Sequence, residues 1–166
     1  YAMMDLITEM TGVEGLQRYE VSAYARAGHR CWHNLNYWSF GDYLGIGAGA
    51  HSKLTLHDGR KWDVRRQMRW KQPKQYLTQI AAGLPLQDEF SVPPNDLPFE
   101  FMMNALRLAD GFHPSLFEAR TAQPISRILP QLKAAEVEGL LDIGPERIAP
   151  TAKGRRFLNV LLEKFL

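Results

Sequence analysis

His33-Asn34-Leu35-Asn36-Tyr37-Trp38, followed closely by Gly41-Asp42-Tyr43-Leu44-Gly45-Ile46-Gly47-Ala48-Gly49-Ala50-His51-Ser52, is the stretch on which the fold and function of this chain turn. In a helical turn His33 and Tyr37, four residues apart, share one face, and Asn34 and Trp38 share the next. An imidazole, two amides and two aromatics in six residues have the makings of a binding site. The alternative is a histidine satisfied in a core beside aromatics. Glycine at every second position, Gly45, Gly47 and Gly49, strips the side chains from one face of an extended segment, so that another backbone or a flat ligand can come close. A barrel strand with small residues for tight packing explains the same pattern without a ligand. A dinucleotide-binding fingerprint is excluded, because the third glycine falls one residue early and Lys53-Leu54-Thr55-Leu56 reads as strand rather than as a helix N-terminus.

The rest of the sequence bounds what this stretch can belong to. A chain of 166 residues, 45% hydrophobic and 23% charged, has ordinary globular composition and room for one or two domains. A net charge of +2 is too small to imply a polyanion partner. Arg60, Lys61, Arg65, Arg66, Arg69, Lys71 and Lys74 cluster against a lone Asp63 and read as a solvated surface. Cys31 is the single cysteine, so these residues form no intrachain disulfide and hold no Cys-only metal site or iron–sulfur cluster. One thiol, no secretory leader and no apolar run near twenty residues point to a cytoplasmic protein without a transmembrane segment. Tyr1 already stands in a helical pattern running from Ala2 to Met10, so the chain is expected to begin within a longer protein.

Along the chain, Gly12 is expected to close this first helix, Arg18 to Tyr24 to form a strand, and Tyr43 to Ala50 a second strand ending at His51. Leu54 to Leu56, the turn His57-Asp58-Gly59-Arg60, and Lys61 to Arg65 make a hairpin, since Asp-Gly favours the positive φ that such a turn needs. Gln75 to Ala82 is a short helix ended by Gly83. Pro85, Pro93, Pro94 and Pro98 mark a connector, with a domain boundary near residue 90. Beyond it, Asn95 or Asp96 caps a helix whose Leu97, Phe101, Met102, Leu106 and Leu108 face the core. Helices follow from Pro114 to Arg120 and from Pro124 to Glu138, with Pro130 restarting or kinking the second. Leu140 to Ile143 and Arg147 to Ala149 form a small hairpin. Thr151 caps a final helix with Phe157, Leu158, Leu161, Leu162 and Phe165 inward. The fold class is α+β, and the C-terminal part has the order of a winged helix.

Four motifs together resemble the radical S-adenosylmethionine proteins of the oxygen-independent coproporphyrinogen III oxidase type, and within them the haem-chaperone branch. They are Tyr19-Glu20-Val21-Ser22-Ala23-Tyr24-Ala25, the hexad His33 to Trp38, the glycine run Gly41 to Ser52, and Pro98-Phe99-Glu100-Phe101-Met102-Met103-Asn104. The resemblance covers essentially the whole chain. It implies a partial (β/α) barrel that holds a 4Fe–4S cluster through a Cys-x3-Cys-x2-Cys loop, followed by a helical accessory domain. On this basis residues 1–56 are the last part of the barrel, 57–90 a hairpin and connector, and 91–166 the winged-helix-like C-terminal domain. The cluster cysteines are not in this sequence, so the chain itself is not expected to run the family's radical chemistry.

The resemblance also places S-adenosylmethionine against Gly45, Gly47, Gly49 and His51, and haem against His33, Asn34, Tyr37 and Trp38. An imidazole is a good axial ligand for haem iron, which makes His33 the metal-ligand candidate. Aromatic rings lie well against a macrocycle, and Arg30 is a candidate partner for propionates. Cys31 is the alternative ligand as a thiolate, though a lone buried thiol acting as packing is the simpler reading. The function implied is delivery of haem to a haem-accepting respiratory protein. The alternative within the same fold is the oxidase that decarboxylates porphyrin propionates, which lacks the hexad. A nucleic-acid-binding winged helix is disfavoured, because Arg127 and Lys133 are balanced by Glu136 and Glu138. A truncated barrel would expose strand edges and apolar faces that favour self-association.

Overall fold

The structure, a computed structural model, describes residues 2–59 and 62–166. The expected roles of Tyr1, of Arg60 in the turn and of Lys61 in the strand and basic cluster lie outside the described residues. The class is α+β. In chain order the elements are α1 (Ala2–Val13), β1 (Gln17–Arg18), β2 (Tyr24–Ala25), α2 (Trp32–Trp38), β3 (His51–His57), β4 (Trp62–Arg69), α3 (Pro73–Ala81), β5 (Leu86–Ser91) and α4 (Leu97–Ala105). They continue with α5 (Pro114–Thr121), a 3-10 turn (Ile125–Ile128), α6 (Leu129–Val137), β6 (Leu141–Ile143), β7 (Ile148–Pro150), α7 (Ala152–Arg156) and α8 (Leu158–Glu163). The chain divides into two compact units, one of residues 1–40 with 98–166 and the other of residues 41–97. Every strand ladder among the described residues is antiparallel.

In the first unit the core is organised around Phe101, which is fully buried and meets Phe40, Phe112 and Phe117 edge to face at centroid distances of 5.8, 5.0 and 5.2 Å. Each such ring pair adds about 0.5–1.5 kcal/mol beyond the area it buries. Met102 and Leu106 extend the same apolar surface, as the spacing predicts, and Ala105 joins them. Pro130 does restart the helix: a 3-10 turn precedes α6, and Pro130 stands in the first turn of α6, where its missing N–H costs nothing. β6 and β7 pair as the expected hairpin, and Phe112 exchanges backbone hydrogen bonds with Ile148 of β7. Gly111 makes that approach possible. Its φ is +70°, and a Cβ there would fall 2.0 Å from the Ile148 carbonyl oxygen.

Several sequence expectations are corrected in this unit. α1 runs through Gly12 to Val13, and the positive φ of +73° falls at Gly15 instead. The strand expected over Arg18 to Tyr24 is two short strands paired across a turn. Tyr19 N–H reaches the Ala23 carbonyl, and the Glu20 carboxylate accepts from the Ser22 N–H at 3.1 Å, so a local side-chain bond bends the chain that β-propensity would extend. The final helix is broken at Phe157, whose backbone leaves helical geometry and whose ring is 44% exposed. Leu161 and Phe165 are buried as expected, and Leu158 and Leu162 are half-buried.

In the second unit β3, β4 and β5 form one antiparallel sheet in that order. The expected hairpin is present and longer, registered from His51 opposite Met68 to His57 opposite Trp62. Its third strand was hidden from the sequence by the prolines on either side. Glu89 of β5 accepts from Arg65 at 3.3 Å and from Gln67 at 3.1 Å, so the strand is held by charge and amides rather than by apolar alternation. These bonds, with Arg65 to Asp63 at 2.9 Å and Arg66 to the Tyr43 hydroxyl at 3.0 Å, also correct the basic cluster: several of its cations are engaged by protein groups.

Candidate functional site

The hexad forms most of α2, a seven-residue helix that starts from an extended Cys31 and stops at Ser39. Phe40 follows with φ +53°, held there by its burial in the Phe101 cluster. The helical spacing read from the sequence holds. His33 meets Tyr37 edge to face at 4.8 Å between centroids, and Tyr37 meets Trp38 at 6.3 Å. Asn34 donates from Nδ2 to the hydroxyl of the buried Tyr19 at 3.2 Å, which ties α2 to the segment between β1 and β2. Trp38 is half-buried, with the Arg107 guanidinium 4.3 Å from its ring centroid. Neither the indole Nε1 nor the Arg107 Nε finds a hydrogen-bond partner among the described residues.

His33 itself is exposed, so the alternative of a core histidine is not what the structure holds. Its imidazole rests against Tyr37 and makes no hydrogen bond among the described residues, which leaves a ring nitrogen available to a metal. Trp32 beside it is 84% exposed. Cys31 is exposed as well, which corrects the expectation of a buried packing thiol. Arg30 is committed within the protein, ion-paired to Asp110 at 2.6 Å and lying over the Tyr19 ring at 5.8 Å. Among the described residues no cluster of three or more His, Cys, Asp or Glu side chains suits a metal ion. A haem iron does not need one, because its macrocycle supplies four ligands and the protein adds one or two.

The glycine run is not the strand that alternation suggested. Tyr43 makes a single bridge to Lys53, and Gly47 to Ala50 turn back into β3, with Gly47 at φ +103° and Gly49 at φ +73°. Positive φ, which glycine alone adopts freely, defeats the extended reading. A Cβ on Gly45 would fall 2.1 Å from the His51 carbonyl oxygen, so the missing side chain there is used by the protein's own backbone. Gly45 N–H also donates to Ser52 Oγ at 3.0 Å, and its carbonyl accepts from Arg69 Nε at 3.3 Å. Nothing stands within 4 Å of a Cβ on Gly47, and His51 is exposed at the start of β3.

Sequence reasoning missed Arg107, which covers Trp38 from about seventy positions along the chain and has no local signal. It also missed Asp42 as the partner of Lys53. That lysine is 1% exposed and reaches Asp42 Oδ1 at 2.8 Å. Burial alone would raise the Asp42 carboxyl, but hydrogen bonds from Lys53 and Thr55 outweigh it and hold the group below its ordinary value.

Residues 92–157 match the HemN C-terminal domain family. The chain is 42% identical over 158 residues to the heme chaperone HemW of Haemophilus influenzae, covering 95% of this chain and 39% of that protein. It is 43% identical over 152 residues to the heme chaperone HemW of Escherichia coli, covering 92% of this chain and 38% of that protein. Its fold is similar, at a TM-score of 0.65 and 18% identity, to the Escherichia coli coproporphyrinogen III oxidase HemN, described as a radical SAM enzyme, over 98% of this chain and 39% of the other. The chain thus spans about two fifths of the length of these proteins. No helix among the described residues is long and apolar enough to cross a membrane. Over nearly its whole length the chain is similar to the heme chaperone HemW proteins, and its residues 92–157 are similar to the HemN C-terminal domain.

Proposed function

We propose that this chain is the C-terminal part of a cytoplasmic radical S-adenosylmethionine haem chaperone that binds haem and passes it to a respiratory protein. Residues 1–56 are the end of the barrel, 57–90 the hairpin and connector, and 91–166 the winged-helix-like domain. His33 is the axial ligand to the haem iron, and Asn34, Tyr37 and Trp38 shape the pocket beside it. The observation that carries this assignment is an exposed imidazole, without a hydrogen bond among the described residues, on a helix whose Asn34 and Trp38 are both tied down. A fixed helix with one uncommitted ring nitrogen is what ligation of an incoming iron requires. The HemW proteins of Haemophilus influenzae and Escherichia coli, 42% and 43% identical across this region, support the chaperone class. Likeness to the oxidase, at 18% identity, supports the fold alone.

S-adenosylmethionine is proposed on the side of Gly47, Gly49 and His51, with Gly45 seating the His51 backbone that presents them. The 4Fe–4S cluster belongs to the intact protein, with ligands outside these residues; when bound it supplies the electron for reductive cleavage of S-adenosylmethionine. Arg30 meets a propionate only if it exchanges Asp110 for it. Haem titration of the intact protein against its His33→Ala variant tests the assignment.

A further inference from the structure

Between α1, β1 and α7, within the unit of residues 1–40 and 98–166, lies a cleft of about 800 Å³. That volume suits a small organic ligand, and no residue of the hexad lines it. Three guanidinium groups line it, and the ion pair of Arg156 with Asp5 leaves Arg18 and Arg155. Arg18 spends its Nε on the Glu20 carbonyl at 3.1 Å, and Arg155 spends one Nη1 on the Pro150 carbonyl at 2.8 Å. Neither is ion-paired to a carboxylate among the described residues. Of the acidic residues on the wall, Asp5 is committed to Arg156 at 3.1 Å and Asp110 to Arg30 at 2.6 Å, while Glu9 stands on the exposed helix α1. Burial, and then the charge of Arg18, hold the Arg155 guanidinium below its ordinary value against the opposing pull of Asp110 and Asp142. Met4, Leu16 and Val21 make the wall apolar beside the two cations.

We propose that this cleft binds a small molecule whose carboxylate or phosphate sits between Arg18 and Arg155 and whose apolar body lies against Met4, Leu16 and Val21. Two like charges drawn together in a half-buried cleft repel, and a bridging anion turns that repulsion into charge-assisted hydrogen bonds. The forked N–H groups of arginine match the oxygens of either anion. The inference does not rest on the haem assignment.

Isothermal titration of the intact protein with octanoate and, separately, inorganic phosphate at constant ionic strength is the test. Saturable one-site binding of at least one probe is expected, weakened about tenfold or more by Arg18→Met. Arg155→Lys, which keeps a donor for the Pro150 carbonyl, should weaken it as well. Octanoate binding alone identifies a carboxylate with an apolar tail, and phosphate binding alone identifies a phosphate group. Failure of both probes to saturate, or wild-type affinity in Arg18→Met, overturns the proposal.

Discussion

Asn34 Nδ2 donates to the Tyr19 hydroxyl at 3.2 Å, and through this bond the helix that carries His33 is fixed to the segment between β1 and β2. Tyr19 is 3% exposed, so removing the amide takes the hydrogen-bond partner from the hydroxyl of a largely buried side chain. Asn34→Ala should cost about 1–3 kcal/mol in chemical denaturation of the intact protein. Tyr19→Phe combined with Asn34→Ala should cost less than the sum of the two single changes, because each removes the same bond. Strict additivity would show that the bond contributes nothing.

Arg107 stacked on Trp38 at 4.3 Å is the second anchor of the same helix. Arg107→Met keeps the apolar stem and removes the charge, and is expected to cost about 0.5–2 kcal/mol. Arg107→Lys should recover part of that loss. Equal stability of all three proteins in urea would mean that the contact is packing alone.

The Asp42–Lys53 pair makes the second unit sensitive to acid. Asp42 is held below its ordinary value of 3.8, so its contribution is fully present above that pH and is lost as pH falls through the depressed folded value. Asp42→Asn should flatten this acid limb. At neutral pH it should cost about 1.5–3 kcal/mol, since it replaces the carboxylate to which the 1% exposed Lys53 donates by a neutral amide. A variant whose stability falls with acid as steeply as the wild type would place the titrating group elsewhere.

Gly45→Ala forces a methyl to within 2.1 Å of the His51 carbonyl oxygen, far inside contact, so the backbone must shift. A loss of about 2 kcal/mol or more is expected, with faster amide exchange along β3. Wild-type exchange there would mean that the loop accommodates the methyl and that Gly45 has been kept for something other than packing.

What could be read from the sequence was what neighbours in sequence decide. The i, i+4 pairing of His33 with Tyr37, the Asp-Gly hairpin, the restart at Pro130 and the apolar face around Phe101 all depend on local spacing, and each is present. The failures have equally definite causes. Alternating glycines look extended until their φ values are known, and Gly47 and Gly49 adopt values that bend the chain. β5, Leu86–Ser91, is an edge strand with Gln87, Asp88 and Glu89 at its centre, and Glu89 is held by an arginine and a glutamine of β4 rather than by a core. Glu20 bends its strand through its own carboxylate. In the candidate site the residue types were legible, but their supports were not. Tyr19 and Arg107 hold α2 from 15 and 69 positions away, and Asp110 takes the arginine that was assigned to propionates.

The most direct test of the account is an anaerobic haem titration of the intact protein, followed by Soret absorbance, in the wild type, His33→Ala, Cys31→Ala and His51→Ala. Removing the imidazole deletes the iron bond but leaves the rings of Tyr37 and Trp38, so His33→Ala should shift the Soret band and weaken binding about tenfold or more without abolishing it. Cys31→Ala and His51→Ala should keep the wild-type spectrum. An unchanged spectrum and affinity in His33→Ala, with a shifted band in Cys31→Ala or His51→Ala, would contradict the account and make the hexad a structural element.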